Sequence, residues 1–366
     1  MLYFLSQLRE VFGPLRMFEH VTFRALLAAV CAFAFTLWMG PAVIRALTRL
    51  KLGQPIRGRD EVRELADLHD NKKGTPTMGG LLILFSLTMS ALLWCRLDNH
   101  FVWLALTPTL LLGALGFADD FQKVRHKKSD GISSRQKFVG QVIIALGFGA
   151  ALMLLPQTET LARSLQVPFL KVAIVSDMGW LSLAFVILVI VSTSNAVNLT
   201  DGLDGLAAGC ALPVVVFYGA LAYLVSHKIS ADYLLLTRVP QAEELAVYSA
   251  ALAGSCLGFL WFNCHPAKVF MGDTGSLAIG GSIAVVAICV GQGLLLVIVG
   301  GVFVMEALSV ILQVASFKLT GKRIFAMSPI HHHFELRGWS ETAVVVRFWI
   351  LCLVFTLVGL ATLKIR

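Results

Sequence analysis

The chain has 366 residues, 57% of them hydrophobic and 14% charged, with a mean hydropathy of +0.79. Soluble domains carry roughly a quarter charged residues, so a soluble globular fold is excluded, as are disordered chains and secreted disulfide scaffolds. A polytopic, all-α membrane protein remains. The net charge of +8 comes from 30 Lys and Arg against 22 Asp and Glu. In a soluble protein it would suggest nucleic acid; in a membrane protein it reports basic loops on the cytoplasmic side.

Residues 1–20 mix apolar residues with Arg9, Glu10, Arg16, Glu19 and His20. That is not a signal-peptide core, so the first span is expected to be retained. Crossing the hydrocarbon takes about 20 apolar residues in a helix. Ten runs of that kind follow, near 21–44, 78–96, 101–118, 138–156, 180–199, 206–226, 246–264, 275–292, 294–317 and 345–363. The eighth and ninth are divided only by Gly291-Gln292-Gly293. The seven cysteines sit singly, nearly all in apolar runs, without metal or disulfide spacing. With no separate soluble region and no clear repeat, residues 1–366 read as a single transmembrane domain.

The cations fall unevenly. The loops after the odd-numbered spans hold 20 of the 30 Lys and Arg. By the positive-inside rule these loops are cytoplasmic. Both termini are then expected on the outer, periplasmic face.

Acidic residues gather on the same cytoplasmic side. Asp119-Asp120 closes the third span, Asn198-Leu199-Thr200-Asp201-Gly202-Leu203-Asp204-Gly205 joins the fifth to the sixth, and Met271-Gly272-Asp273-Thr274-Gly275 precedes the eighth. Taken alone, Asp273 or Asp204 reads as a helix cap or turn residue. Adjacent aspartates at a helix C-terminus are different, because they oppose each other and the helix dipole. They call for a cation. Five carboxylates and Asn198 from three loops supply the hard oxygens that Mg²⁺ prefers, with only one or two expected as direct ligands. Lys72, Lys73, Lys123, Arg125, Arg135 and Lys137 flank them, and Lys73-Gly74-Thr75-Pro76-Thr77-Met78-Gly79-Gly80 adds glycines that admit an anion. Carboxylates, lysines and a divalent cation together suit phosphoryl transfer. For Arg57, Arg59 and Arg63 a solvated basic loop is the better reading.

His331-His332-His333 cannot all face one metal on a helix, where successive residues point about 100° apart. Imidazoles donating to a phosphate or sugar fit better than zinc. In the ninth span Glu306 and Gln313 are seven residues apart, on one helix face expected to turn inward.

In this order, five segments resemble the phospho-N-acetylmuramoyl-pentapeptide-transferases, a branch of the polyprenyl-phosphate N-acetylhexosamine-1-phosphate transferase family. They are residues 73–80, Asp119-Asp120 with Lys123, 195–205, 269–276 and Pro329-Ile330-His331-His332-His333-Phe334-Glu335-Leu336-Arg337-Gly338-Trp339. The likeness runs from Thr22 to Arg366. It implies an inner-membrane, homodimeric, Mg²⁺-dependent enzyme. The reaction implied joins UDP-N-acetylmuramoyl-pentapeptide to undecaprenyl phosphate, giving lipid I and UMP. By motif, Asp273 corresponds to the metal-binding aspartate and Asp119 and Asp120 to the pair that handles the lipid phosphate. Asn198 and Asp201 line the same site beside Lys123. Lys72, Asp204, Asn263 and Phe270 correspond to nucleoside-pocket residues. The histidines correspond to the sugar–peptide end, and Thr77 and Gln313 complete the substrate-binding set.

Two alternatives compete. A sister enzyme using UDP-N-acetylglucosamine would share the aspartates and lack the histidine segment. A secondary transporter would draw on ten spans and Glu306, but its polar groups would sit near the midplane, whereas here they cluster at one surface. A reporter test checks the topology: alkaline phosphatase fused after Arg366 is expected to be active and a fluorescent protein there dark.

Overall fold

The computed structural model describes residues 1–50, 74–126, 131–155 and 158–365. Two short 3₁₀ helices, Leu2–Leu8 and Gly13–Glu19, precede the α-helices. These are α1 (Val21–Arg49), α2 (Gly80–Trp94), α3 (His100–His126), α4 (Ser134–Leu154), the short α5 (Glu159–Arg163), α6 (Leu181–Thr200) and α7 (Leu206–Ser226). They continue with the short α8 (Lys228–Tyr233), α9 (Glu244–Asn263), α10 (Gly272–Cys289), α11 (Leu296–Val299), α12 (Gly301–Thr320), α13 (Ile330–Leu336) and α14 (Glu341–Thr362). Among the described residues, nine helices are long and apolar enough to cross a membrane. The chain is an all-helical, multi-pass membrane protein.

The ten apolar runs all become helix, with two adjustments. The run at 78–96 yields only the 15 residues of α2, because its first residues are used for pairing. Phe270 N donates to Pro76 O, Gly79 N to Phe270 O and Gly80 N to Met271 O, at 2.8, 2.8 and 2.9 Å. The run at 294–317 is broken at Gly300, between α11 and α12.

At the centre stands α10, with every residue from Thr274 to Cys289 buried. Its neighbours are α3, α6 and α2, while α1 packs along α9. Lipid gives no hydrophobic drive between helices, so close contact must come from small side chains. The sequence of α10 supplies Gly275, Ser276, Ala278, Gly280, Gly281, Ser282 and Ala284. At the crossing with α2, a Cβ on Gly80 would stand 2.1 Å from Gly275 N. The outer faces of α1, α12 and α14 instead expose large apolar residues such as Trp38, Ile311 and Leu357, as lipid contact requires.

Both chain ends lie away from the aspartates. The Met1 ammonium group donates to Leu92 O and Leu93 O, at the end of α2 remote from Gly80. Lys364 Nζ reaches Tyr233 O beyond the far end of α7. At that end Arg24 and Glu244 form a bidentate pair of 2.6 and 2.8 Å, both fully buried. Arg24 also donates to Trp94 O, and Glu244 accepts from Arg96 N. One ion pair thus ties α1, α2 and α9. Removing one partner strands the other charge, at a cost of about 3–5 kcal/mol. Arg24→Met is therefore expected to lower the unfolding temperature in detergent sharply, and Arg24→Met/Glu244→Leu to recover most of the loss.

Candidate active site

The C-terminal turns of α3 meet the N-terminus of α10. A helix N-terminus carries unpaired N–H groups and a partial positive charge, and no side chain of α10's own cap satisfies them. Asp120 does so from α3. Its Oδ1 accepts from Asp273 N at 3.1 Å, and its Oδ2 from Thr274 N at 2.9 Å and Thr274 Oγ1 at 2.7 Å. This explains the second of the two adjacent aspartates: it caps a helix in trans.

That cap holds Asp273 beside Asp119, and oxygens of Asp119, Asp120 and Asp273 all lie within 4.8 Å of one another. Two ammonium groups balance them. Lys123 Nζ stands 2.6 Å from Asp119 Oδ2 and 3.2 Å from Asp273 Oδ2. Lys137 Nζ, from α4, stands 2.5 Å from Asp273 Oδ2 and 4.0 Å from Asp119 Oδ2. Asp119 Oδ1 accepts from Ile132 N at 2.8 Å. From α6, Asn198 Nδ2 donates to Asp273 Oδ1 and to Ser276 Oγ, each at 2.8 Å. Thr77 is buried next to this cluster, since a Cβ on Gly272 would stand 2.5 Å from Asp120 Oδ2 and 3.0 Å from Thr77 Oγ1. Asp201 follows the end of α6. Burial first, then the Asp273 and Asp120 carboxylates, push its pKa up to about 8, against the pull of the Gly272 amide. Crowded, partly neutralised carboxylate oxygens fit a small hard divalent cation.

A second cluster forms from Asp204, His265 and Glu341. Asp204 Oδ2 accepts from Ala267 N at 3.0 Å and lies 3.2 Å from His265 Nδ1, while Glu341 Oε1 accepts from Asp204 N at 2.9 Å. Asn263 braces this end, accepting from Gly205 N and donating to Val269 O. Phe270 is half-buried just before the α10 N-terminus.

The three histidines diverge, as a helix demands. His331 is fully buried against Glu306, His332 Nδ1 faces Glu335 at 2.7 Å, and His333 Nδ1 accepts from Ala326 N at 3.0 Å. Gln313 pins the segment after α12, accepting from Ile324 N and Phe325 N and donating to Phe325 O. It is not among the aspartates. Lys72, with Lys73, Arg57, Arg59 and Arg63, lies outside the described residues.

Sequence reasoning kept Lys137 only as one cation among several and did not single out His265 or Glu341. Neither has a spacing signal: they lie 61 and 137 residues from Asp204.

Relatives share this chain at full length. A phospho-N-acetylmuramoyl-pentapeptide-transferase of Methylacidiphilum infernorum is 54% identical over 366 residues, covering 100% of both chains. The chain belongs to the phospho-N-acetylmuramoyl-pentapeptide-transferase family. Family members from Desulfotalea psychrophila and Koribacter versatilis are 49% and 47% identical, each covering at least 99% of both chains. The glycosyl transferase family 4 model matches residues 102–291, and signature 1 of the phospho-N-acetylmuramoyl-pentapeptide-transferases matches 72–84. In the family's terms, the first stretch spans α3 to α10 and so contains Asp119, Asp120, Asn198, Asp201 and Asp273.

Replacing Asp120 tests the trans cap. Asp120→Ala leaves the Asp273 and Thr274 amides unpaired, costing about 1–3 kcal/mol. A lowered unfolding temperature together with at least a hundredfold loss of turnover is expected.

Proposed function

We infer that this chain transfers phospho-N-acetylmuramoyl-pentapeptide from UDP-N-acetylmuramoyl-pentapeptide to undecaprenyl phosphate, releasing UMP and forming lipid I. The observation that carries the reading is the Asp119–Asp120–Asp273 cluster with its two lysines, at one end of a membrane-spanning bundle in a chain of this family. Such a place suits an enzyme that joins a water-soluble donor to a lipid acceptor. The same reading makes the whole chain a single catalytic domain, carried as a homodimer in the bacterial inner membrane. Its aspartate end then faces the cytoplasm and both termini the periplasm.

Mg²⁺ is the cation proposed, held by Asp273 with oxygens of the neighbouring carboxylates. When bound it supplies charge neutralisation for the pyrophosphate. Asp120 spends its oxygens on the α10 amides, which makes it a scaffold for Asp273 rather than a nucleophile. Asp119, facing Lys123, is the carboxylate placed to orient the lipid phosphate or to take its last proton. A phosphate monoester has a second pKa near 6 and is mostly dianionic at neutral pH, so it needs little base catalysis. Direct in-line attack on the β-phosphate follows.

Lys123 and Lys137 are the groups available to neutralise transferring phosphoryl oxygens, exchanging their carboxylate partners for the donor. Asp204, with His265 and Glu341, is assigned to the nucleoside end beside Phe270 and Lys72, and Asn263 supports it through the Gly205 and Val269 backbone. Of the three histidines on α13, His332 and His333, with Gln313 and Thr77, are assigned to the rest of the donor, and the fully buried His331 serves that end only through the turn it packs against.

UMP release by the purified protein tests the reading. It should require undecaprenyl phosphate and Mg²⁺, and UDP-N-acetylglucosamine should not replace the muramoyl donor. Asp273→Asn should lower turnover by at least about a hundredfold. UMP release without lipid acceptor, or a trapped donor–enzyme adduct, would contradict direct attack.

A further inference from the structure

Glu306 and His331 form a buried pair with two idle edges. His331 Nδ1 lies 3.0 Å from Glu306 Oε1, and both residues are 0% exposed. Their other polar atoms, Glu306 Oε2 and His331 Nε2, have no hydrogen-bond partner. Glu306 is also the single acidic residue of α12. A carboxylate in an otherwise apolar spanning helix is costly, and a pure packing role there would be better met by leucine.

The pair fixes an orientation. With Nδ1 engaged by Glu306, the Nε2 edge on the other side of the ring points away from it. It points at Gly202: a Cβ on Gly202 would stand 2.2 Å from His331 Nε2 and 2.8 Å from Cε1. Gly202 directly follows Asp201 and precedes Asp204 by two residues. The turn's C-terminal half is held from outside, Asp204 N donating to Glu341 Oε1 and Gly205 N to Asn263 Oδ1, while at its start Asp201 N donates to Asn198 O and Gly202 N to Thr200 O. At Gly202 what packs behind the backbone is the remaining restraint. The imidazole is that backing, and Glu306 holds the imidazole.

We propose that Glu306 is a positioning residue for the donor side of the site: by anchoring His331 Nδ1 it sets the ring against Gly202 and fixes the Asp201–Asp204 turn for the sugar nucleotide. The proposal rests on the transferase reading above. It also gives an intramembrane carboxylate a partner: Glu306 meets the buried His331, whose ring in turn packs 4.1 Å from that of His332.

Steady-state UMP release by the purified full-length protein, with each substrate varied, tests it. Glu306→Ala should raise KM for UDP-N-acetylmuramoyl-pentapeptide about tenfold or more, leaving KM for undecaprenyl phosphate within about twofold. Glu306→Gln, whose amide can still pair with Nδ1 as acceptor or donor, should hold donor KM within about threefold of wild type. Gly202→Ala puts a methyl group where the ring stands and should reproduce the alanine phenotype. The double variant Glu306→Ala/Gly202→Ala should be no worse than either single one, because both act on one contact. Unchanged donor KM in Glu306→Ala, or additive effects in the double variant, overturns the proposal. So does an equal rise in both KM values with a lowered unfolding temperature, which marks plain packing. Should Glu306→Ala fail to fold, the glutamine and Gly202→Ala variants still decide the matter by the same KM comparison. A wild-type protein that releases no UMP with the lipid acceptor present refutes the transferase reading itself, and this inference with it.

Discussion

The structure hangs on the cap that Asp120 places over the first turn of α10. A buried helix start with unpaired amides is costly, and here the missing acceptor comes from another helix, 153 residues earlier in the chain. That contact sets the height of α3 against α10. It puts Asp273 beside Asp119, where Lys123 of α3 and Lys137 of α4 face the acids. The backbone pairing of Gly79 and Gly80 with Phe270 and Met271, and the Asn198 contacts to Asp273 and Ser276, hold the same end of α10 from its other sides.

The electrostatics of the cluster follow from this placement. Three carboxylates within 4.8 Å of one another would repel strongly in a poorly hydrated setting, and Lys123 and Lys137 offset most of that repulsion. On the proposed reading, such a site is prepared for exchange. A divalent cation with a pyrophosphate brings the same kinds of charge that the lysines and aspartates now supply to one another. The turn after α6 connects this cluster to the one around Asp204. Asp201 belongs to the first by its charged neighbours, and Asp204 belongs to the second by its contacts with His265 and Ala267. On the proposed reading, the donor's reacting and recognition ends meet residues three apart on one turn.

Much of this was legible in the chain itself. Apolar runs marked the helices because lipid demands them. The doubled aspartate at 119–120 stood out because two acids at a helix C-terminus are unfavourable without a partner. The three histidines were readable as divergent from helical periodicity, and their contacts with Glu306, Glu335 and Ala326 lie in three directions. Other features left no trace. His265 and Glu341 are ordinary loop and cap residues until α9 and α14 bring them to Asp204. Glu306 was visible as an intramembrane acid on the face it shares with Gln313, yet the two do different work. Gln313 pins a connecting segment, while Glu306 reaches a histidine 25 residues away.

The sequence by itself determined that this is a helical membrane protein with its chemistry at one surface, because hydropathy, charge asymmetry and family motifs are local properties of the chain. Only the tertiary structure decided what each acid does. Asp120 caps α10, Asp119 and Asp273 share two lysines, Asp204 joins a second cluster and Glu306 holds the His331 ring. Those roles depend on which donor lies within about 3 Å, and that distance is set by helices packing across long stretches of chain. The initial excess of basic charge divides in the same way: most of it marks a membrane side, Lys123 stands out by its motif beside Asp119-Asp120, and Lys137 joins it only because folding sets it against Asp273.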